Sequence, residues 1–92
     1  MQSATVVLTD PVGLHARPAA ELVQTAARYK ADISLEHGSR KANAKSIIMV
    51  LALGARQGAA VEVKANGEDE FEAVAAIVKL LARNNEKGEE RK

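Results

Sequence analysis

Hydrophobic and polar positions follow two different periods along the chain. From Ala31 to His37 the alternation is strict, with Ala31, Ile33 and Leu35 set against Asp32, Ser34 and Glu36. Side chains of a strand point alternately to opposite faces, so this segment predicts a strand with one face in water. Ala60 to Ala65 repeats the pattern, with Val61 and Val63 opposite Glu62 and Lys64, and Asn66-Gly67 ends it. A third strand, Thr5 to Thr9, is short, β-branched and closed by Asp10-Pro11 and Gly13. Its faces are less clean, because Val6 and Leu8 share one and Val7 falls with Thr5 and Thr9 on the other. Gly38-Ser39 turns the chain into a short polar strand, Arg40 to Asn43, which predicts a hairpin.

Between these strands the period lengthens. Ala19, Leu22, Val23 and Ala26 are spaced by three and four, predicting a helix over Ala16 to Tyr29. Val74, Ile77, Val78 and Leu81 form the stripe of another, which starts among Glu68, Asp69, Glu70 and Glu72, acids that suit the positive end of a helix. Ser46 to Gly54 fits two readings. Its β-branched residues suit a buried strand, whereas Ser46 and Gly54 suit the N-cap and C-cap of a short helix. The caps favour the helix. Such a helix on a sheet needs one buried stripe, so some of Ile47, Ile48, Met49 and Leu51 should face water as a docking patch unless the helix is wedged into the core. Beyond Asn84 the chain is charged, which predicts one domain over 1–84 and a frayed tail over 85–92.

The resulting order is β-α-β-β-α-β-α. Strands with one wetted face imply an antiparallel sheet, with the helices together on its other face. The fold class is therefore α+β in two layers. A doubly wound parallel sheet would need strands apolar on both faces, and these are not.

Composition narrows the chemistry. The chain of 92 residues has no Cys, which excludes disulfides and thiolate metal sites. Its longest apolar run, Ile47 to Leu53, is far short of the ~20 residues of a membrane span. Met1 to Thr5 lack the features of a signal peptide, so a cytoplasmic location is expected. Net charge is only +1, giving no general affinity for nucleic acid. An aromatic content of 2% also argues against an RNA-binding sheet, which needs stacking surfaces. No acid lies between Glu36 and Glu62, while Arg40, Lys41, Lys45 and Arg56 do, so the middle of the chain suits an acidic partner or a phosphate. His37 has no second ligand type nearby and reads as a surface residue, and neither metal nor cofactor is expected.

One junction asks for more than a turn. The stretch "GLHARPAA", Gly13 to Ala20, puts His15 at the entry of the first helix. The leading amides of a helix have no internal partner and carry partial positive charge, so the backbone of Ala16 and Arg17 is a candidate phosphate cradle. The same field disfavours the imidazolium and leaves a lone pair on His15 for nucleophilic attack. Arg17 adds paired donors suited to phosphate oxygens. Pro18 leaves no helical bond unmade, yet it discourages helical angles at Arg17 and predicts a distorted or open turn. No paired carboxylates or second catalytic His accompany this trio, so turnover must come from partner enzymes.

"GLHARPAA" resembles the active-site motif of HPr, the small histidine phosphocarrier of the bacterial sugar phosphotransferase system. "VQTAARYKADISLE" (Val23 to Glu36), "NAKSII" with "LALG" (Asn43 to Gly54) and "NGEDE" (Asn66 to Glu70) resemble that family's other elements, so the similarity covers nearly the whole chain. The resemblance implies an open-faced β-sandwich, a four-stranded antiparallel sheet with three helices on one face, and makes Ser46 to Gly54 a helix. It implies that His15 accepts a phosphoryl group on Nδ1 from phosphorylated Enzyme I and passes it to the A component of a sugar-specific Enzyme II, with Arg17 steadying the charge. Ser46 aligns with the serine phosphorylated by HPr kinase/phosphorylase, the modified form acting as corepressor of a catabolite-control transcription factor. Met49 departs from the glycine usual in serine-regulated relatives. Ala20, Gln24, Ile47, Ile48 and Leu51 match partner-contact positions. Gln24 and Ala27 replace lysines that many relatives carry, so steering would lean on Arg17, Arg40 and Lys45. A monomer is expected, and the nitrogen-linked phosphotransferase system or a Ser46-switched interaction module are the alternatives.

Overall fold

The structure, a computed structural model, describes residues 1–90, with side-chain environments through Asn85. The elements follow the expected order: β1 (Gln2–Val7), α1 (Ala16–Ala26), β2 (Asp32–His37), β3 (Arg40–Asn43), α2 (Ile47–Ala52), β4 (Ala60–Asn66) and α3 (Glu70–Glu90). The sheet has the order β1-β4-β2-β3 and every pair is antiparallel. The three helices cover one face.

Burial follows the alternation. Ile33, Leu35, Val61, Val63 and Ala65 are buried beneath Ala19, Leu22 and Ala26 of α1 and Ala73, Ile77 and Leu81 of α3. The opposite face stays polar: Lys64 Nζ lies 3.1 Å from Glu36 and 3.7 Å from Glu62 across the strands. The predicted split of the first strand also holds, with Leu8 buried and Val7 exposed.

Several boundaries move for identifiable reasons. β1 begins at Gln2 and leaves the ladder after Val7, because β4 pairs it from Gln2↔Ala65 to Val7↔Ala60. α1 stops at Ala26, short of Tyr29, with Ala27 as its C-cap. Lys45 Nζ donates to the Tyr29 carbonyl just beyond, at 2.8 Å. α2 has Leu53 as C-cap, and Gly54 follows it with φ +67°, the left-handed conformation that stops a helix. α3 continues beyond Asn84 to Glu90, and Asn85, placed by sequence in the tail, is fastened to the exit of β1. Residues 91 and 92 of that predicted tail lie outside the described residues.

The corner between α1, β2 and α3 depends on one carboxylate. Asp69 accepts from the amides of Lys30 and Ala31, each at 2.8 Å. These bonds, the one from Lys30 foremost, hold the carboxyl below its ordinary 3.8. A carboxyl with a lowered folded value stabilises fully above its unfolded value and stops doing so as pH falls through the folded one. Acid unfolding followed by circular dichroism should therefore show Asp69→Asn flattening the loss of stability below pH 3.8. An unchanged acid limb would remove this role from Asp69.

Candidate functional site

The loop from Leu8 to Leu14 carries His15, and it is fixed from several sides. Asp10 Oδ1 accepts from the Val12 amide at 2.9 Å and the Asp10 carbonyl from Gly13, also at 2.9 Å, closing a turn. Leu14 is buried and its amide donates to the Ala55 carbonyl at 3.0 Å. Leu8 exchanges backbone bonds with Ala59 and Gly58, at 2.9 and 2.7 Å. Gln57 Nε2 donates to the Thr9 carbonyl at 3.2 Å. From α3, Asn85 Oδ1 accepts from the Thr9 amide and its Nδ2 donates to the Val7 carbonyl, both at 2.9 Å.

Gly13 makes this packing possible. Its φ is +76°, and a Cβ there would meet Arg56 Cα at 2.6 Å and the Ala55 carbonyl at 2.7 Å. The chain can pass the loop after α2 this closely only without a side chain.

His15 is the N-cap of α1, extended at φ −98° and ψ −170°. Its side chain makes no capping hydrogen bond, although its carbonyl accepts from Ala19 at 2.9 Å. The residue is partly exposed, and Ala16 and Arg17 are exposed. Among the described residues, the imidazole, the guanidinium of Arg17 and the amides of Ala16 and Arg17 have no hydrogen-bond partner. Pro18 is buried inside the first turn without breaking it: α1 is helical from Ala16, so the distorted turn expected at Arg17 does not form. An uncommitted imidazole thus stands at the opening of a helix whose first two amides are bare. Such a site can receive an anion and present a nucleophile to it.

It is also shallow. A broad hollow of about 580 Å³ on the other face of the sheet, lined by Ser34, Glu36, Lys41 and Lys64 among others, includes neither His15 nor Arg17.

Ser46 caps α2, with Oγ accepting from the Met49 amide at 3.3 Å. Only Val50 of that helix is buried, whereas Ile47, Ile48, Met49 and Leu51 are exposed, Ile48 by 77%. The wedged alternative is therefore excluded. Ala20 and Gln24 continue from Ala16 at intervals of four along α1, Ala16 and Gln24 exposed and Ala20 partly so, and α2 packs against the same helix. Lys45 is tied to Tyr29, and Arg40 Nη1 donates to the Ala52 carbonyl at the end of α2 at 3.3 Å. Both cations are thus also tied to the scaffold while keeping their charge, whereas Arg17 has no side-chain partner among the described residues. Sequence reasoning missed the backbone of Ala55 and Arg56, Gln57 and Asn85, which brace the His15 loop. No pattern in the chain announces them. Among the described residues there is no cluster of metal-ligating side chains, and no helix is long and apolar enough to cross a membrane.

An open-faced α+β sandwich with an unpartnered histidine at a helix start is the arrangement that the phosphocarrier resemblance implies. The family model described as the PTS HPr component phosphorylation site matches residues 2–83, and the chain belongs to this HPr family. The crystal structure of HPr-C-His from Thermoanaerobacter tengcongensis is 42% identical, over 94% of this chain and 97% of that one, with a TM-score of 0.88. HPr from Bacillus anthracis is 35% identical over 87% and 95%, with a TM-score of 0.82. Crh, the Bacillus subtilis catabolite repression containing protein, crystallised as a swapped dimer, is 38% identical over 91% and 97%, with a TM-score of 0.73.

Proposed function

We propose that this phosphocarrier holds its phosphoryl group on His15, receiving it from phosphorylated Enzyme I and giving it to the A component of a sugar-specific Enzyme II in the cytoplasm. The carrying observation is the partly exposed, uncommitted imidazole beside two unpaired amides. On loading, the His15 Nδ1 lone pair forms a P–N bond while the donor histidine's P–N bond breaks; on unloading, the acceptor histidine's nitrogen forms the new P–N bond while the bond to His15 Nδ1 breaks. Both partner histidines must reach one phosphorus in turn, so a shallow site is required. Ala16 and Arg17 amides would hold the phosphoryl oxygens, and Arg17 would offset their charge. Ala20, Gln24, Ile47, Ile48 and Leu51 would form the partner-facing surface. Incubation of the protein with phosphoenolpyruvate and Enzyme I should add one acid-labile, alkali-stable phosphate per chain. No label under saturating donor would overturn the reading.

Ser46 would be the regulatory site, modified by HPr kinase/phosphorylase and read by a catabolite-control transcription factor. A phosphate there would sit favourably at the start of α2 but put about two negative charges beside the apolar patch. Ser46→Asp should slow transfer from Enzyme I at least tenfold, mainly through KM, without loss of fold. Ser46→Ala should transfer normally and lose about 1 kcal/mol of stability with the cap. Equal kinetics for the two variants would remove Ser46 from the partner surface. The likeness to Crh favours a second reading, a Ser46-switched interaction module, which predicts kinase-dependent phosphoserine and no phosphohistidine. Service in a nitrogen-linked system would keep the His15 chemistry and change only the acceptor.

A further inference from the structure

Asn66 and Gly67 form the single Asn-Gly pair of the chain, since Asn43 precedes Ala44, Asn84 precedes Asn85, and Asn85 precedes Glu86. A glycine nitrogen can attack a preceding asparagine side chain with little hindrance, because no Cβ shields it. Asn66 is the last residue of β4 and is exposed.

Two restraints oppose the attack in the folded state. Asn66 pairs with Asp32 of β2, which holds its backbone extended, and strand side chains stand out from the chain direction instead of folding onto the next amide. The Gly67 amide, whose nitrogen would have to lose its proton, donates instead to Glu70 Oε1 at 3.1 Å. A carboxylate accepting that N–H makes its removal harder.

We propose that Asn66-Gly67 is a self-modification site held silent by Glu70. When the corner opens, the deprotonated Gly67 nitrogen bonds to Asn66 Cγ. The bond from Cγ to the side-chain nitrogen breaks, and that nitrogen leaves as ammonia after taking a proton from water. The product is a cyclic imide. Water then opens either ring carbonyl, giving aspartate or isoaspartate, with no change of oxidation state. The new carboxylate faces Asp32 and joins Glu68, Asp69 and Glu70. Isoaspartate also inserts a methylene into the main chain where Gly67 packs so closely on Ala31 that a Cβ would lie 2.6 Å from its Cα. The loop carrying His15 rests on Ala55, Gln57 and Asn85 and shares none of these contacts. Modification therefore loosens the fold while the carrier residue stays intact.

The test is a timed incubation at 37 °C and mildly alkaline pH, with peptide mass spectrometry and isoaspartyl methyltransferase labelling. Glu70→Ala should gain one dalton at Asn66 about ten- to a hundredfold faster than the wild type, the factor expected from losing one hydrogen bond to a charged group. Glu70→Gln retains an acceptor oxygen and should restore the slow rate. Val50→Ala, which weakens the core under α2 instead, separates local opening from general instability and should leave the rate near wild type. Equal acceleration in Glu70→Ala and Val50→Ala, failure of Glu70→Gln to rescue, or no modification at Asn66 in any variant would each overturn the proposal.

Discussion

His15→Ala is expected to abolish acid-labile phosphorylation by Enzyme I and phosphoenolpyruvate altogether, while shifting the melting temperature by less than about 4 °C. The two halves follow from one geometry. The imidazole makes no capping bond, so its removal leaves no buried partner unpaired. The exposed Ala16 and Arg17 amides would remain, and so would any weak anion affinity they provide. Only the nucleophile would be gone. Gel-shift or intact-mass analysis after incubation, beside differential scanning calorimetry, measures both effects. Acid-labile label persisting in the variant would place the phosphoryl group elsewhere, and a collapse of stability would mean that the ring is part of the scaffold.

Gly13→Ala should have the opposite character, losing fold and transfer together. The methyl group would fall 2.6 Å from Arg56 Cα and 2.7 Å from the Ala55 carbonyl, and neither is the flexible end of a side chain. At φ +76° an alanine is strained by about 1 kcal/mol even without a neighbour. Separating the two backbones adds roughly 2 kcal/mol, for a total near 3 kcal/mol. That corresponds to a melting temperature lower by roughly 12–24 °C for a domain of this size. The bond from Leu14 to Ala55 would break first, since it lies at the point of contact. His15 would then lose its register with the helix start, and transfer should slow even at temperatures where the variant is folded. Calorimetry combined with single-turnover phosphorylation at 10 °C tests this. A variant that melts like wild type would show that the loop can yield, and the bracing described above would be unnecessary for His15.

Much of the fold was legible in the sequence because its signals are local. Ile33 and Leu35 alternate with Ser34 and Glu36 whatever strand they meet, and Ser46 caps a helix through an amide only three residues away. Gly13, His15 and Arg17 also announce their chemistry within a few positions. The errors share a non-local cause. β1 was placed too late because its limits are set by β4, its partner from Val7↔Ala60 to Gln2↔Ala65. Nothing near Lys45 in sequence shows that its ammonium also reaches the Tyr29 carbonyl. Asn85 looked like part of a charged tail, and its two bonds to Val7 and Thr9 exist only once α3 lies along β1. Exposure of Ile47, Ile48 and Leu51 needed the packing of Val50 before docking could be separated from burial.

The strand order carries a consequence for how the chain folds. Made before the rest of the sheet, β1 has β4 as its one strand partner among the described residues, so Gln2 must wait until Ala65 has emerged before it can pair. β2 and β3, by contrast, close at once through a tight hairpin. Assembly therefore proceeds from the middle outward, at the slower pace of folds whose contacts join distant parts of the chain. Until β1 arrives, the flank of β4 is an unfilled template at which a nascent copy is most prone to associate with its neighbours.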